Sequence, residues 1–205
     1  MDTKETLFYD RQIRLWGFDA QERLKNTVVS VLFHKSEYIN TIGHELVKNL
    51  VLVGIGTVSL TGRHTVTAEM ASNSLFYSSR DIGGDAIEAL ALRTQELNDN
   101  IRVLYSKQKT LYPTFEVHLG SPEKPCALPE TALSLRISND SFLMFSGKAL
   151  GHTPDCCCKE DSGDSLIDTP FLHALSAMAG GIATQKIVLR IIDQSPCLQP
   201  SLHAL

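Results

Sequence analysis

The chain has 205 residues, of which 43% are hydrophobic and 20% charged, and it carries a formal net charge of −4. This is the composition of a globular protein of about one domain, which argues against a disordered chain and gives no support for nucleic-acid binding. No apolar run approaches the roughly 20 residues of a membrane helix, and no secretory signal is visible, so we expect neither a nucleic-acid partner nor a membrane.

The first half of the chain alternates predicted strands and helices. The predicted strands are VVSVLF (28–33), TVSL (57–60) and NIRVLYS (100–106). One predicted helix begins after the N-cap Thr41 and stops at Gly54, and a second covers residues 84–97. The order strand, helix, strand, helix, strand is typical of an α/β fold with a parallel sheet and right-handed crossovers.

The middle of the chain is less regular. We predict strands at FEVHLG (115–120) and FLMFSG (142–147), with a helix near residues 130–137 between them. From residue 151 to 170 the sequence changes to Gly, Asp, Ser and Cys with almost no apolar periodicity. That composition predicts a loop.

A long helix is predicted over residues 170–193. Its apolar face is predicted from four residues, which are Phe171, Leu175, Met178 and Ile182. The pair Gly180 and Gly181 is expected to allow close packing against another element. The tail that follows is interrupted by prolines, and we expect it to be frayed.

The turn after the first strand has lost the glycines that a dinucleotide-type fold uses to hold phosphate. Nine residues without glycine, HKSEYINTI, separate Phe33 from Gly43. Gly62 occupies the position, at the end of the second strand, where an acidic residue would hold a ribose. The sequence therefore predicts a Rossmann-like parallel sheet with a degenerate nucleotide-binding loop.

Four collinear segments resemble the ThiF/MoeB superfamily of adenylation domains, which activate ubiquitin-like proteins. They are YDRQIRLWGFDAQERLKN, IGHELVKNLVLVGIGTVSL, DIGGDAIEALALRTQELN and AMAGGIATQKIVLRIID. The resemblance covers residues 9–103 and 171–193, and its opening segment is most similar to the small subunit of the SUMO-activating enzymes. It implies a single, shortened adenylation-like domain over residues 1–205, in which the loop 151–170 stands where the family carries a longer insertion.

In that family two homologous adenylation folds pair, and only one of them is competent for ATP. Here Asn73 is kept without the arginine that follows it in the family, and Gly84 and Ala86 stand around positions where active members carry lysine. The resemblance therefore implies that this chain has no nucleotide site of its own, with Gly43 and Asn73 as remnants. ATP and Mg would be bound at the site of the partner subunit.

The resemblance also gives a role to the N-terminal segment YDRQIRLWG. The family's arginine of the RQ pair reaches across the dimer toward the triphosphate in the partner, which implies that Arg11 is a catalytic arginine supplied in trans. Trp16 and Arg14 are implied at the interface, with Trp16 also able to anchor the segment to its own domain. The alternative for Arg11, judged by residue type alone, is a surface ion pair with Asp10 or Glu22.

Several functions remain open at this point. The resemblance implies an accessory subunit of a heterodimeric enzyme, partnered by a larger catalytic subunit and a ubiquitin-like modifier, with SUMO as the first choice. The alternatives are the small subunit of the neddylation enzyme and a non-catalytic scaffold. We expect the partner to contact the stretch 45–53, and we expect the protein in the nucleus and cytoplasm.

The three adjacent cysteines Cys156, Cys157 and Cys158 invite a zinc hypothesis. Neighbouring side chains diverge, however, and no CxxC pair completes a tetrahedral set, although His152 lies four residues away. We therefore predict no metal site, and reduced thiols in a loop.

Overall fold

The computed structural model describes residues 1–36, 38–108, 113–120, 132–137, 141–146, 170–193 and 201–204. The cysteine cluster 156–158 and nearly all of the predicted loop lie outside the described residues. The helices are α1 (Thr3–Phe8), α2 (Asp10–Trp16), α3 (Phe18–Lys25), α4 (His44–Val53), α5 (Ala68–Ser72), α6 (Ala86–Gln95) and α7 (Pro170–Asp193). The strands are β1 (Val28–Phe33), β2 (Thr57–Thr61), β3 (Arg102–Ser106), β4 (Phe115–Leu119), β5 (Ala132–Ile137), β6 (Ser141–Ser146) and β7 (Ser201–Ala204).

The strands form one sheet in the order β3-β2-β1-β4-β5-β6-β7. The first five strands in this order are parallel, and β6 and β7 extend the sheet as antiparallel strands. This confirms the predicted α/β fold with a parallel sheet. The chain runs outward from β1 to β3 and then returns to place β4 on the other side of β1. The gap between β1 and β4 is therefore the switch point, where ligands of open α/β sheets bind at the carboxyl ends of the strands.

The two faces of the sheet differ in polarity. One face contributes Val31, Val58 and Val117 to the hydrophobic core, which also contains the buried residues of α4, α6 and α7. The opposite face carries Ser30 and Glu116, which are register partners on β1 and β4 and are both buried. Apolar burial under the helices supplies the main driving force for this fold.

The long helix α7 confirms the predicted span, and its buried face matches the predicted one in part, since Leu175 is fully buried and Ile182 packs against the core. Phe171 and Met178 are each 46% exposed, whereas Leu172 and Ala179 are buried. Gly180 confirms the close-packing prediction, because a Cβ there would lie 2.8 Å from the Cβ of Glu45 on α4. Small residues let α7 approach α4 closely, so the larger side chains outside this stripe face away.

By length and composition α7 is the one helix in the described part of the chain that could cross a membrane. The sequence prediction that no apolar run reaches this length was therefore too strict. Half of the helix is buried inside the protein, where it packs against α3 and α4. Such burial is typical of a core helix.

Two predictions in the C-terminal half were wrong. The predicted helix near residues 130–137 is strand β5, which pairs with β4 on one side and with β6 on the other. Leu133 and Leu135 alternate along it and are both buried, so tertiary pairing outweighs the helix propensity of Ala, Leu and Arg. The tail is not wholly frayed either, since Ser201–Ala204 pairs with β6.

The entry to α4 also differs from the prediction. Thr41 is not a helix N-cap, because it lies inside a π-helical turn, Ile39–Gly43, where its backbone leaves the helical region (φ −105°, ψ −110°). The expected contact of the stretch 45–53 with a partner is not supported by this packing. The apolar residues Leu46, Val47 and Leu50 are fully buried inside the chain, and only Leu52, at 41%, is exposed.

Candidate functional site

The carboxyl edge of the sheet, where β1, β2 and β4 end, is the place where this fold would bind a nucleotide. Two side chains of the glycine-free turn lie there, His34 and the buried Tyr38. Both lie against Gly120 at the end of β4, since a Cβ on Gly120 would be 3.5 Å from the Cβ of His34 and from the Tyr38 ring. The chain's own side chains therefore cover the switch point between β1 and β4.

Gly43 is required for packing at this edge. A Cβ there would lie 2.6 Å from the carbonyl oxygen of Tyr38 and 2.5 Å from a ring carbon of Phe33. The glycine is buried and precedes α4. Its small size thus lets the turn that carries Tyr38 fold down on the end of β1.

A small cavity of about 270 Å³ opens beside Gly62, where a ribose-binding acid is missing. Asp85 and Glu88 line this cavity, and the sequence did not predict acidic side chains there. Both carboxylates are already engaged, because Asp85 accepts hydrogen bonds from the first backbone amides of α6 and Glu88 accepts one from the Tyr105 hydroxyl at 2.6 Å. Asp85 therefore caps α6, and Glu88 holds the Tyr105 side chain in place.

The other family positions also lack a phosphate-binding arrangement. Asn73 is exposed at the end of α5, where its amide oxygen accepts a hydrogen bond from Ser72 at 3.4 Å. Gly84 is exposed, and Ala86 is completely buried with its carbonyl bound by the Tyr77 hydroxyl. A lysine at Ala86 would have to bury its charge, which is costly without a partner.

His44, the first residue of α4, is buried at the same edge. Its ring makes edge-on contacts with Phe76 and Tyr77, and its Nδ1 lies 3.4 Å from the Ser74 hydroxyl. Its Nε2 is buried and has no hydrogen-bond partner among the residues that the structure describes. Burial lowers the pKa of His44 to about 3, so the imidazole is neutral in the folded protein at pH 7.

A second group of buried imidazoles lies between β1 and β4. The Nε2 of His34 lies 2.9 Å from the Nδ1 of His118, and the Nε2 of His118 lies 3.3 Å from a carboxylate oxygen of Glu116. Burial, and then the neighbouring His118 and His64, lower the pKa of His34 to about 4. This chain of contacts was not predictable from local pattern, because His34 and His118 are 84 residues apart along the sequence.

The opposite, amino edge of the sheet holds the N-terminal helices. Helix α4 begins at the carboxyl edge and ends at the amino edge, and its last carbonyl groups need hydrogen-bond donors. Three side-chain amides supply them. The donors are Gln12 to the Leu52 carbonyl (3.2 Å), Gln21 to the Val53 carbonyl (3.0 Å) and Asn98 to the Val51 carbonyl (2.8 Å). These bonds fix α2 and α3 against the end of α4.

Trp16 and Arg14 differ in their surroundings. The Trp16 ring is partly buried against the chain's own core, and its indole N–H donates to the Gln21 side chain at 2.9 Å. Arg14 is exposed and pairs with Asp10 one turn earlier. Trp16 therefore anchors α2 to its own domain, whereas Leu15, at 77% exposed, faces solvent.

Arg11 lies on α2 at the amino edge and is exposed. The two predicted ion-pair partners are engaged elsewhere, Asp10 by Arg14 and Glu22 by the amino group of Met1. Within the described part of the chain, Arg11 makes no hydrogen bond or ion pair. Its neighbour Gln12 is bonded to α4, so the backbone beneath the guanidinium is held in place. Arg11 is thus separated from the chain's own switch point by the length of α4.

The sequence matches several curated proteins, although no family model matches the chain. It is 38% identical over 104 residues to the DNA damage tolerance protein RHC31 of Saccharomyces cerevisiae and 40% identical over 93 residues to the NEDD8-activating enzyme E1 regulatory subunit of Danio rerio. It is 34% identical over 105 residues to SUMO-activating enzyme subunit 1 of Dictyostelium discoideum. These matches cover 51%, 45% and 51% of the chain but only 28%, 16% and 30% of the relatives.

Solved structures extend the comparison to the whole fold. MccB of E. coli superimposes with a TM-score of 0.72 at 15% identity, over 97% of this chain and 71% of its own. PaaA superimposes with a TM-score of 0.69 at 18% identity, over 100% and 74%. Over about half of its length the chain is thus a homologue of SUMO-activating enzyme subunit 1 and of the NEDD8-activating enzyme E1 regulatory subunit, and over nearly all of its length it has the ThiF/MoeB-type adenylation fold.

Proposed function

We propose that the chain is the accessory subunit of a heterodimeric enzyme that activates a ubiquitin-like modifier, and that it does not adenylate by itself. One observation carries the proposal. Arg11 is an exposed cation on a well-anchored helix at the amino edge, while the chain's own ligand edge is covered by His34 and Tyr38. A cation that cannot serve the chain's own fold is suited to a site on a partner.

The chemistry of an arginine fits that role. Its guanidinium stays charged and offers a planar fork of N–H donors, which matches phosphate oxygens. In the partner's site Arg11 would donate to phosphate oxygens whose charge grows as pyrophosphate leaves and the acyl-adenylate forms. ATP and Mg would supply the reactive phosphate groups in the partner's site, and this chain would supply one positioned N–H donor group, the Arg11 guanidinium.

The covered switch point supports the proposal that this chain has no nucleotide site of its own. ATP bound in this chain would have to displace the buried Tyr38 ring and His34 from the end of β4, without glycine amides to replace the lost contacts. Calorimetric titration of the isolated chain with Mg-ATP should therefore show no saturation below millimolar concentrations. Micromolar binding would contradict this part of the proposal.

SUMO and NEDD8 are both candidate modifiers, because small subunits of both enzymes are similar to this chain. We favour SUMO, on the similarity of the N-terminal segment. The chain should be co-expressed with the larger subunit of either enzyme from the same organism, and each mixture analysed by size-exclusion chromatography with light scattering. A stable one-to-one complex with the SUMO-type subunit is expected. A complex with the NEDD8-type subunit alone would reassign the modifier, and a monomer in both mixtures would refute the accessory role.

A pure scaffold, which binds the partner subunit without serving its site, is the second candidate. The exposed apolar side chains around Arg11, such as Leu15 and Leu52, could support binding without catalysis. The two candidates differ in what happens when Arg11 is replaced. A scaffold tolerates the loss of its charge, and an activating subunit does not.

A further inference from the structure

The buried chain of contacts from Glu116 through His118 to His34 resembles the arrangement of a nucleophile, a base and an orienting carboxylate. The carboxylate of Glu116 lies 3.3 Å from His118 Nε2, and His118 Nδ1 lies 2.9 Å from His34 Nε2. Glu116 and His118 are buried, and His34 is half-buried, so the chain of contacts ends at the least buried member. Such a sequence of hydrogen bonds is the general signature of an activated nucleophile.

The hydrogen bonds fix which ring nitrogen of each imidazole carries the proton. A carboxylate only accepts, so His118 donates to Glu116 through Nε2–H, and its Nδ1 is left as an acceptor. His34 then donates to that acceptor through Nε2–H. The Nδ1 of His34 keeps its lone pair, in the assignment that satisfies both contacts. The Nδ1 of His34, at the end of this chain of contacts, is therefore an unprotonated nucleophile.

The backbone holds His34 at this position. Its amide donates to the Leu119 carbonyl at 3.0 Å, directly after β1, which ties the residue to the end of β4. The planes of the His34 and His118 rings are nearly parallel, with an interplanar angle of 7° and ring centroids 5.2 Å apart. The site lies at the switch point of the sheet, the position at which open α/β folds place ligands.

The geometry points to a second activity, in which His34 acts as an acyl-accepting nucleophile toward activated esters, with His118 as its general base and Glu116 as the orienting carboxylate. The substrate class is a small activated carboxylic ester. This activity belongs to the single chain and needs no partner subunit. It is therefore independent of the accessory role of Arg11, and either can fail without the other.

The acylation step balances with the residues present. The lone pair of His34 Nδ1 forms a bond to the acyl carbon, and the bond from that carbon to the leaving oxygen breaks with its electron pair. The Nε2 proton of His34 moves to Nδ1 of His118. The resulting His118 imidazolium lies beside the Glu116 carboxylate, which stabilises its charge.

Water then completes the cycle. Its oxygen bonds to the acyl carbon, the bond from that carbon to His34 Nδ1 breaks, and the pair returns to the nitrogen. His118 gives its proton back to His34 Nε2. The carboxylic acid leaves with the water hydroxyl, and the remaining proton of the water passes to solvent.

The test uses the full chain with p-nitrophenyl acetate as the probe. We expect release of p-nitrophenol faster than from the unfolded chain at equal concentration, and mass spectrometry of a quenched reaction should find an acetyl group on His34. That mapping needs no variant, so it stands even where a substitution impairs folding. An acetyl group found only on other residues, or a rate equal to that of the unfolded chain, would overturn the proposal.

Variants then assign the roles. His34→Ala should reduce the rate to that of the unfolded chain, and His118→Ala should reduce it by at least about tenfold, as expected on loss of a general base. Glu116→Gln should have a smaller effect in the same direction. His173→Ala, on the exposed side of α7, is the matched control and should keep the wild-type rate. Circular dichroism checks the fold of each variant. An unchanged rate in folded His34→Ala would exclude the site.

The pH profile is a readout that a structural role would not affect. The titratable groups that face His34 are His118 and, behind it, Glu116 on β4, together with His64 after β2. Because the pKa of His34 is lowered to about 4, its nucleophilic form persists below pH 6. The rate should stay level from pH 8 to pH 5.5. A tenfold fall through pH 6.5, as for an ordinary imidazole, would contradict the assignment.

Discussion

The two edges of the sheet are used in opposite ways. At the carboxyl edge, where this fold binds ligands, Tyr38 and His34 lie over the switch point and His44 is sealed between aromatic rings. At the amino edge, the side chains of Gln12 and Gln21 fasten the N-terminal helices to the end of α4, and Arg11 faces solvent.

This difference teaches how a degenerate copy of a fold can remain useful. Loss of the glycine-rich turn lets bulky side chains cover the ligand edge, and that gain in packing stabilises the domain without a ligand. Under the proposed function, the amino edge holds a charged group in a fixed position for another protein.

Lowering the pH should give the largest loss of unfolding free energy, through His44 at the carboxyl edge. His44 has a pKa of about 3 in the folded chain and about 6.5 when unfolded, so only the unfolded state gains its proton between these values. Stability is therefore complete above pH 6.5 and falls as the pH drops toward 3, by about 1.4 kcal/mol per pH unit and roughly 5 kcal/mol in total. Urea unfolding at pH 7 and pH 4.5 measures this loss.

His44→Phe keeps an aromatic ring and removes the titration, so its stability should depend less steeply on pH than that of the wild type. His173→Ala, at an exposed position, is the control and should follow the wild type. Hydrogen exchange should rise first in the segments around His44. Parallel losses in wild type and His44→Phe would show that the acid-sensitive groups lie elsewhere.

The contact between α7 and the start of α4 gives a second test. Gly180→Ala would bring a methyl group within 2.8 Å of the Glu45 Cβ and 3.1 Å of the Leu46 amide nitrogen, and should cost about 1–3 kcal/mol of unfolding free energy. The adjacent Gly181 has no atom within 4 Å of its added methyl group, so Gly181→Ala should stabilise the helix by up to about 1 kcal/mol. Thermal unfolding of the two variants should shift in opposite directions, and equal shifts would contradict the packing described here.

The anchors of the amino edge should contribute less. Gln21 is buried and links the Trp16 indole to the Val53 carbonyl, so Gln21→Ala leaves two partly buried groups unpaired and should cost about 2 kcal/mol. Gln12→Ala exposes the Leu52 carbonyl to water and should cost about 0.5–1 kcal/mol. Chemical denaturation measures both. A larger loss for Gln12→Ala would reverse the order of the two anchors.

The fold was largely predictable from local pattern. The run Val28–Phe33 is a strand because β-branched and apolar residues are buried on a sheet, and the helix ending at Gly54 stops there because that glycine adopts φ +89°. Strand β5 was not predictable, since ALSLRI suits a helix as well as a strand and only its pairing with β4 and β6 decides. The π-helical turn at Thr41 was likewise not predictable from the local sequence pattern.

The candidate site was predictable only in part. The lack of glycine between Phe33 and Gly43 led to the prediction that this turn does not bind phosphate, but it did not predict that Tyr38 and His34 would cover the switch point. The RQ pair directed attention to Arg11, while its neighbour Gln12 is the residue that holds the helix. Contacts such as Gln12 with Leu52 join residues 40 positions apart, and no local pattern encodes them.

The most direct test of the account is pyrophosphate exchange by the reconstituted heterodimer with Arg11→Ala. The variant should assemble normally, because Arg11 makes no hydrogen bond or ion pair within the described part of the chain, and its exchange rate should fall about 100- to 1,000-fold, the effect of losing one preorganised donor. Arg11→Lys should recover only part of the rate, and Arg14→Ala, which breaks an exposed ion pair, should stay within a few-fold of wild type. An Arg11→Ala complex that exchanges at the wild-type rate would contradict the account and leave the scaffold function.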